Sequence, residues 1–112
     1  MADSLFNQQQ FEFGELDERY PLRDRTRYHE RVLKVLAYVC SKGYSESVKW
    51  FLDKGKTYKD RAIVFAARFG QLDLVKMLLV EDANVNADSG AALRYAVYLD
   101  RIEMARLLLK NG

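Results

Sequence analysis

The chain has 112 residues, of which 49% are hydrophobic and 30% charged, and its formal net charge at pH 7 is +2. A chain of this length forms about one domain, and its apolar content excludes a disordered protein. With 18 basic and 16 acidic residues, the overall charge balance gives no basis for choosing a partner class.

The single cysteine, Cys40, cannot form an intramolecular disulfide and lies in an apolar run, so we expect a buried thiol in a reducing compartment. The amino terminus lacks the basic start and apolar core of a secretion signal, and no apolar stretch reaches the ~20 residues that span a bilayer. These features predict a cytoplasmic protein without a membrane anchor, and they are equally compatible with delivery into a host cytosol.

Residues 1–24 differ from the rest of the chain, with a glutamine run at Gln8 to Gln10 and the only proline, Pro21. We interpret this segment as an arm or cap that precedes a helical domain over residues 25–112. The first helix of that domain carries an apolar stripe at helical spacing and ends at Gly43; the stripe comprises Val32, Val35, Leu36, Val39 and Cys40. A second, shorter helix is predicted from Ser45, its expected N-cap, to Gly55.

The same helix pair occurs twice more along the chain. The stretch from Arg61 aligns with the stretch from Ala91 at a spacing of about 30 residues, so that Ala66 matches Ala96 and Leu79 matches Leu109. Because each leucine-rich second helix is too apolar to stand alone, the units must stack to bury it. We therefore predict an all-α solenoid of about three units, 28–57, 58–87 and 88–112, with Asp60 and Asp100 as helix caps.

These units resemble the ankyrin repeat, and the second unit matches its pattern best. The matching positions are Ile63, Ala66, Ala67, Gly70, Leu72, Asp73, Val75, Lys76, Leu78, Leu79, Ala83, Asn84, Val85 and Asn86. The resemblance implies a protein-binding solenoid, and the shortened spacing is similar to that of viral and intracellular-bacterial ankyrin proteins. Asp82 and Asp100 stand where the family pattern has glycine, so a positive φ is expected there.

The resemblance places the binding surface on a concave groove formed by the first helix of each unit. An aromatic row, Tyr38, Phe65 and Tyr95, occupies equivalent positions in the three units. Aromatic residues and arginine dominate binding energy at interfaces. The predicted partner-binding residues are Tyr38, Phe65, Arg68, Phe69, Arg94, Tyr95, Tyr98 and Leu99. Packing between adjacent units remains an alternative role for the aromatic row, and Trp50 is interpreted as core.

No catalytic or cofactor chemistry is indicated. The sole histidine, His29, has no second histidine or cysteine cluster with which to bind zinc, and phosphate-binding glycine loops and nucleophile elbows are missing. We therefore predict no enzyme activity, no metal and no cofactor. The resemblance implies that the protein binds another protein, as an inhibitor or effector acting on a host or competitor protein.

Two other functions remain open. Residues 19–34 are rich in arginine but contain interspersed acids, such as Asp24 and Glu30, which makes nucleic-acid binding the less favoured hypothesis. The last helix is still apolar at Ile102 and Leu109, where a terminal repeat is usually polar. A scaffold or oligomerisation domain of a longer regulatory chain, including a homo-oligomer formed through the uncovered last unit, is the alternative.

Overall fold

The computed structural model describes residues 22–112, with side chains from residue 27 onward except Lys56. The predicted arm, residues 1–24, lies almost wholly outside this part, and its capping role stays a prediction. The first helix begins at Leu22, before the predicted domain boundary.

Every regular element within residues 22–112 is an α-helix, as predicted. The helices are α1 (Leu22–Ser41), α2 (Ser45–Leu52), α3 (Lys56–Arg68), α4 (Leu72–Val80), α5 (Ala87–Tyr98) and α6 (Ile102–Asn111). The first helices of the three pairs, α1, α3 and α5, pack side by side, and each also packs on the second helix of its own pair. The second helices are α2, α4 and α6. Helix α3 contacts helices on both sides and is the centre of the stack.

The core lies between the two layers, where the apolar stripes of both meet. Leu36 and Ile63 from the first helices and Val48, Val75 and Leu78 from the second helices are fully buried. Burying a side chain of this size contributes about 1.5–3 kcal/mol relative to leaving it exposed. Small side chains on the first helices let α3 and α5 approach closely; these are Ala62, Ala66, Ala67, Ala92 and Ala96.

A left-handed residue ends the first helix of every pair. Gly43, Gly70 and Asp100 have φ values of 70°, 72° and 57°, and the next N–H donates back to the carbonyl five residues earlier, at 3.1, 2.9 and 2.7 Å. This six-residue closure satisfies helix carbonyls that would otherwise lack a partner. Asp82, at the end of α4, has a φ of 65°. The positive φ expected at Asp82 and Asp100 is thus confirmed.

The predicted side-chain caps are wrong. Ser45 is the first residue of α2, whose N-cap is Tyr44 without a side-chain hydrogen bond. Asp60 lies inside α3, because that helix begins at Lys56, and its Oδ1 accepts a hydrogen bond from the Asn84 N–H at 3.1 Å. Asp100 forms the left-handed turn and leaves the N-cap position of α6 to Arg101. The backbone turns, rather than side-chain caps, set these helix starts.

Candidate functional site

The aromatic row lies along the first helices, at equivalent positions of α1, α3 and α5. Tyr38 is 57% exposed, whereas Phe65 and Tyr95 are half-buried and pack against the core. Both roles weighed for this row are therefore compatible with its burial: Phe65 and Tyr95 help hold adjacent helices together, and each leaves part of its ring at the surface. Tyr38 contributes less to packing and offers more surface.

A second cluster forms where α3 and α5 end. The Arg68 guanidinium carbon lies 5.5 Å from the ring centroid of Phe69 and 5.7 Å from that of Tyr95. At these distances the cation is attracted to both ring faces. Tyr98, on the next turn of α5, is 84% exposed. The structure thus brings Arg68, Phe69 and Tyr95 into one contact group, with Tyr98 at its edge.

Arg94 is held by the turn that begins α5. Its Nη1 donates a hydrogen bond to the Ser89 carbonyl. Its Nη2 donates a hydrogen bond of 3.3 Å to the Asp88 carbonyl. Asp88 and Ser89 have φ values of 54° and 55°, so two non-glycine residues adopt the left-handed conformation here. Arg94 also lines an open cavity of about 310 Å³ beside Tyr95 and Tyr98.

Two of the predicted site residues lie apart from this group. Tyr38 is on α1, where the Lys42 ammonium lies 5.7 Å from its ring centroid. Leu99 is 39% exposed and borders a different cavity, of about 330 Å³, together with Gly70, Ile102 and Met104. The eight predicted residues therefore do not form one continuous cluster: Arg68, Phe69 and Tyr95 are in contact, and Arg94 and Tyr98 line the cavity beside Tyr95.

The last helix pair carries an exposed apolar surface, as the sequence indicated at Ile102 and Leu109. Val97 is 66% exposed, whereas Ala67, at the equivalent position of the second pair, is fully buried. Ile102 and Leu109, which match the half-buried Leu72 and Leu79, are also exposed. The 30-residue register itself was the available signal, since these positions are covered only where another pair follows.

Sequence reasoning missed two linking residues. Gln71 and Arg101 occupy equivalent positions before α4 and α6, and each reaches back over the left-handed glycine of the preceding pair. The Gln71 Nε2 donates to the Ser41 carbonyl at 2.9 Å. The Arg101 guanidinium covers Gly70, and its Nε is buried without a hydrogen-bond partner. Each of these side chains thus contacts the preceding pair from the residue before a second helix.

The remaining reactive groups do not form a site. The Cys40 Sγ is fully buried, 3.9 Å from the Ala62 carbonyl oxygen, and burial raises the pKa of the thiol to about 12. The His29 ring packs against the Tyr58 ring, with 6.0 Å between the ring centroids. Trp50 is half-buried and packs against the core, with its ring edge-on to that of Phe51 and 5.3 Å between the ring centroids. Across the described residues, no three His, Cys, Asp or Glu side chains are grouped to hold a metal ion.

The comparisons with known proteins identify one family. A family model for ankyrin repeats, in three copies, matches residues 35–112. Neither a curated protein nor a solved structure matches the chain. Within residues 22–112, no helix has the length and apolar character needed to cross a membrane.

Proposed function

The chain belongs to the ankyrin repeat family, and from that premise we propose that it binds another protein through the outward side of α1, α3 and α5. Ankyrin repeats are generally protein–protein interaction modules and are typically non-catalytic. We call this side the first-helix surface; it comprises Tyr38, Phe65, Arg68, Phe69, Arg94, Tyr95, Tyr98 and Leu99.

The observation that carries this proposal is the contact group of Arg68, Phe69 and Tyr95 beside the exposed ring of Tyr98. A tyrosine buries a large area at a modest cost in side-chain entropy, because only two χ angles become fixed. Arg68 is already held between two rings, so less of its conformational freedom is lost on binding. The cluster therefore has the composition and preorganisation of an interface hot spot.

A non-catalytic binding module acts on its partner by covering part of the partner's surface. The Cys40 thiol has a raised pKa and little thiolate, and nucleophilic chemistry requires the thiolate. We propose that the protein is an inhibitor or effector that covers a functional surface of a host or competitor protein. The buried, unpaired cysteine favours work in a reducing compartment such as the cytosol.

Affinity capture from the native cell lysate tests the proposal. The test variant carries Phe69→Ala and Tyr98→Ala, and a matched control carries Val80→Ala and Leu109→Ala, which removes exposed apolar side chains from the second helices. Circular dichroism establishes that both remain folded. We expect one protein to be retained by the wild type and the control and lost from the test variant. Equal retention by all three chains would refute binding through the first-helix surface.

The exposed apolar end of the last pair supports a second function, a scaffold that self-associates or continues into a further unit. Val97, Ile102 and Leu109 present apolar side chains where earlier pairs are covered. Sedimentation velocity over a range of concentrations distinguishes the two functions. A dimer that dissociates on Val97→Lys and Leu109→Lys substitution supports the scaffold, whereas a monomer at all concentrations argues against self-association.

A further inference from the structure

The two helix layers differ in how their charges are arranged. On the first helices, the described basic side chains outnumber the described acidic ones. The basic residues are Arg27, Arg31, Lys34, Lys59, Arg61, Arg68 and Arg94, and the acidic ones are Glu30, Asp60 and Asp88. Asp60 is further occupied by the hydrogen bond from Asn84. The first-helix layer is therefore a basic surface, although the whole chain is close to neutral.

The second helices carry their charges as local pairs. Each has an acidic residue followed three positions later by a basic one: Glu46 and Lys49, Asp73 and Lys76, Glu103 and Arg106. Side chains at this spacing are neighbours on a helix. Among the described side chains, the Lys49 Nζ and Glu46 Oε1, 3.9 Å apart, are the atoms within ion-pair distance. Among the described residues of the first helices, Lys34, Arg61 and Arg68 are exposed and have no acidic side chain within ion-pair distance, so their charge is available to a ligand.

The available cations lie on both sides of the aromatic row. Lys34 and Arg61 occupy equivalent positions, one turn before Tyr38 and Phe65. The side chains of Lys34 and Arg61 are both exposed. Lys42 and Arg68 lie beyond the row, toward the turns, and each contacts an aromatic ring. A ligand lying across α1 and α3 would thus meet apolar rings along its centre and positive charge at both edges. On α5 the cation beside the row is Arg94, which the turn before the helix holds.

We propose that the occupant of the first-helix surface is an acidic segment of the partner protein, which crosses α1, α3 and α5 in an extended conformation. This inference rests on the proposed function. Packed helices are about 8–10 Å apart and an extended chain advances about 3.3 Å per residue, so carboxylates every third residue match successive helices. Apolar or aromatic side chains between them contact Tyr38, Phe65 and Tyr95.

Charge spacing favours a protein segment over a nucleic acid. Phosphates follow each other at about 3.4 Å per strand along a duplex, so most of them would find no cation on helices about 8–10 Å apart. Glu30, Asp60 and Asp88 would repel a continuous line of phosphates. A peptide carries discrete carboxylates and can place neutral residues opposite these acids.

Fluorescence anisotropy with defined peptides tests the inference. The probe is a labelled peptide of Glu-Tyr-Gly repeats, since about ten extended residues span three helices, and its control has glutamine in place of glutamate. The protein variant is Lys34→Glu, Arg61→Glu, Arg68→Glu. Its match is Lys49→Glu, Lys76→Glu, Arg106→Glu, which changes the net charge equally on the other layer. A milder variant, Arg61→Gln with Arg68→Gln, serves if charge reversal unfolds the chain.

We expect the glutamate peptide to bind the wild type and the second-helix variant at least about tenfold more tightly than the first-helix variant, and to weaken between about 50 and 300 mM salt. Equal binding by both variants, no preference over the glutamine peptide, or tighter binding of single-stranded RNA would overturn the inference. The proposed function would survive that result if lysate capture still depended on Phe69 and Tyr98. If the peptide shows no such preference and lysate capture does not depend on Phe69 and Tyr98, both the inference and the proposed function are refuted.

Discussion

The second and third helix pairs share one sequence frame but differ in burial. Ala67 is fully buried and its equivalent, Val97, is two-thirds exposed; Leu79 is half-buried and its equivalent, Leu109, is exposed. The difference does not come from the pairs themselves, whose inner cores are alike at Leu78 and Leu108. It comes from the neighbour that covers one pair and not the other. In a stacked fold, a residue's contribution to stability is set largely by the next unit.

Introducing a charge at the equivalent positions should give the largest contrast. Ala67→Asp places a carboxylate in a fully buried site, and we expect it to lower the free energy of unfolding by roughly 3 kcal/mol or more. Val97→Asp should change it by less than about 0.5 kcal/mol, because the side chain is solvated. Urea unfolding of both variants measures the effect. Equal destabilisation would mean that Val97 is covered in solution.

The left-handed turns offer the next contrast. Gly70→Ala puts a Cβ at a φ of 72° and against the Arg101 guanidinium, so we expect a loss of about 1–2 kcal/mol in unfolding free energy. Thermal melting or urea unfolding measures this loss. The double variant Gly70→Ala, Arg101→Ala should lose less than the sum of the single effects, since the collision is then removed. Strict additivity would show that Arg101 does not lie over Gly70.

Cys40, the equivalent of Ala67 in the first pair, makes stability depend on alkaline pH. Burial raises its pKa to about 12 from an ordinary 9.0, so the unfolded chain loses its thiol proton first and stability falls as pH rises above about 9. The loss should reach about 1 kcal/mol near pH 10 and be missing in Cys40→Ala. Urea unfolding at several pH values checks this. An identical pH dependence in both chains would contradict the buried thiol.

The smallest expected effect is a gain. Asp100 is held at a φ of 57°, where glycine is unstrained, so Asp100→Gly should raise the unfolding free energy by about 0.5–1 kcal/mol. The second pair has a glycine, Gly70, at the equivalent position, so it serves as the reference for this substitution. A differential scanning fluorimetry shift to higher temperature is the expected result, and a shift to lower temperature would indicate that the Asp100 carboxylate has a stabilising contact.

Features written into local spacing were predictable from the sequence. The apolar periodicity gave the helix pairs, and the aspartates at the glycine positions of the family pattern gave the left-handed turns at Asp82 and Asp100. The helix starts were not predictable, because Asp60 is recruited by Asn84, 24 residues away, instead of capping α3. The exposure of Val97 was not predictable for a similar reason, since its equivalent, Ala67, is buried and the difference depends on what lies beyond the pair.

The candidate site was only partly predictable. The residue types at Arg68, Phe69 and Tyr98 follow from the register, but the position of the Arg68 guanidinium between two rings depends on how α3 and α5 pack. The hydrogen bonds that fix Arg94 depend on Asp88 and Ser89, which adopt the left-handed conformation in succession, whereas left-handed residues normally occur singly. Side-chain geometry between helices is the level at which single-sequence patterns lose their information.

Site-specific photo-crosslinking tests the central claim most directly. A photo-reactive phenylalanine analogue replaces Tyr98 on the first-helix surface in one chain and Val80 at the end of α4 in another; the two wild-type side chains are 84% and 85% exposed, so access is matched. The account predicts a discrete crosslinked partner from position 98 and none from position 80 in the native lysate. Crosslinking from position 80 alone would contradict it and move the binding surface to the second helices.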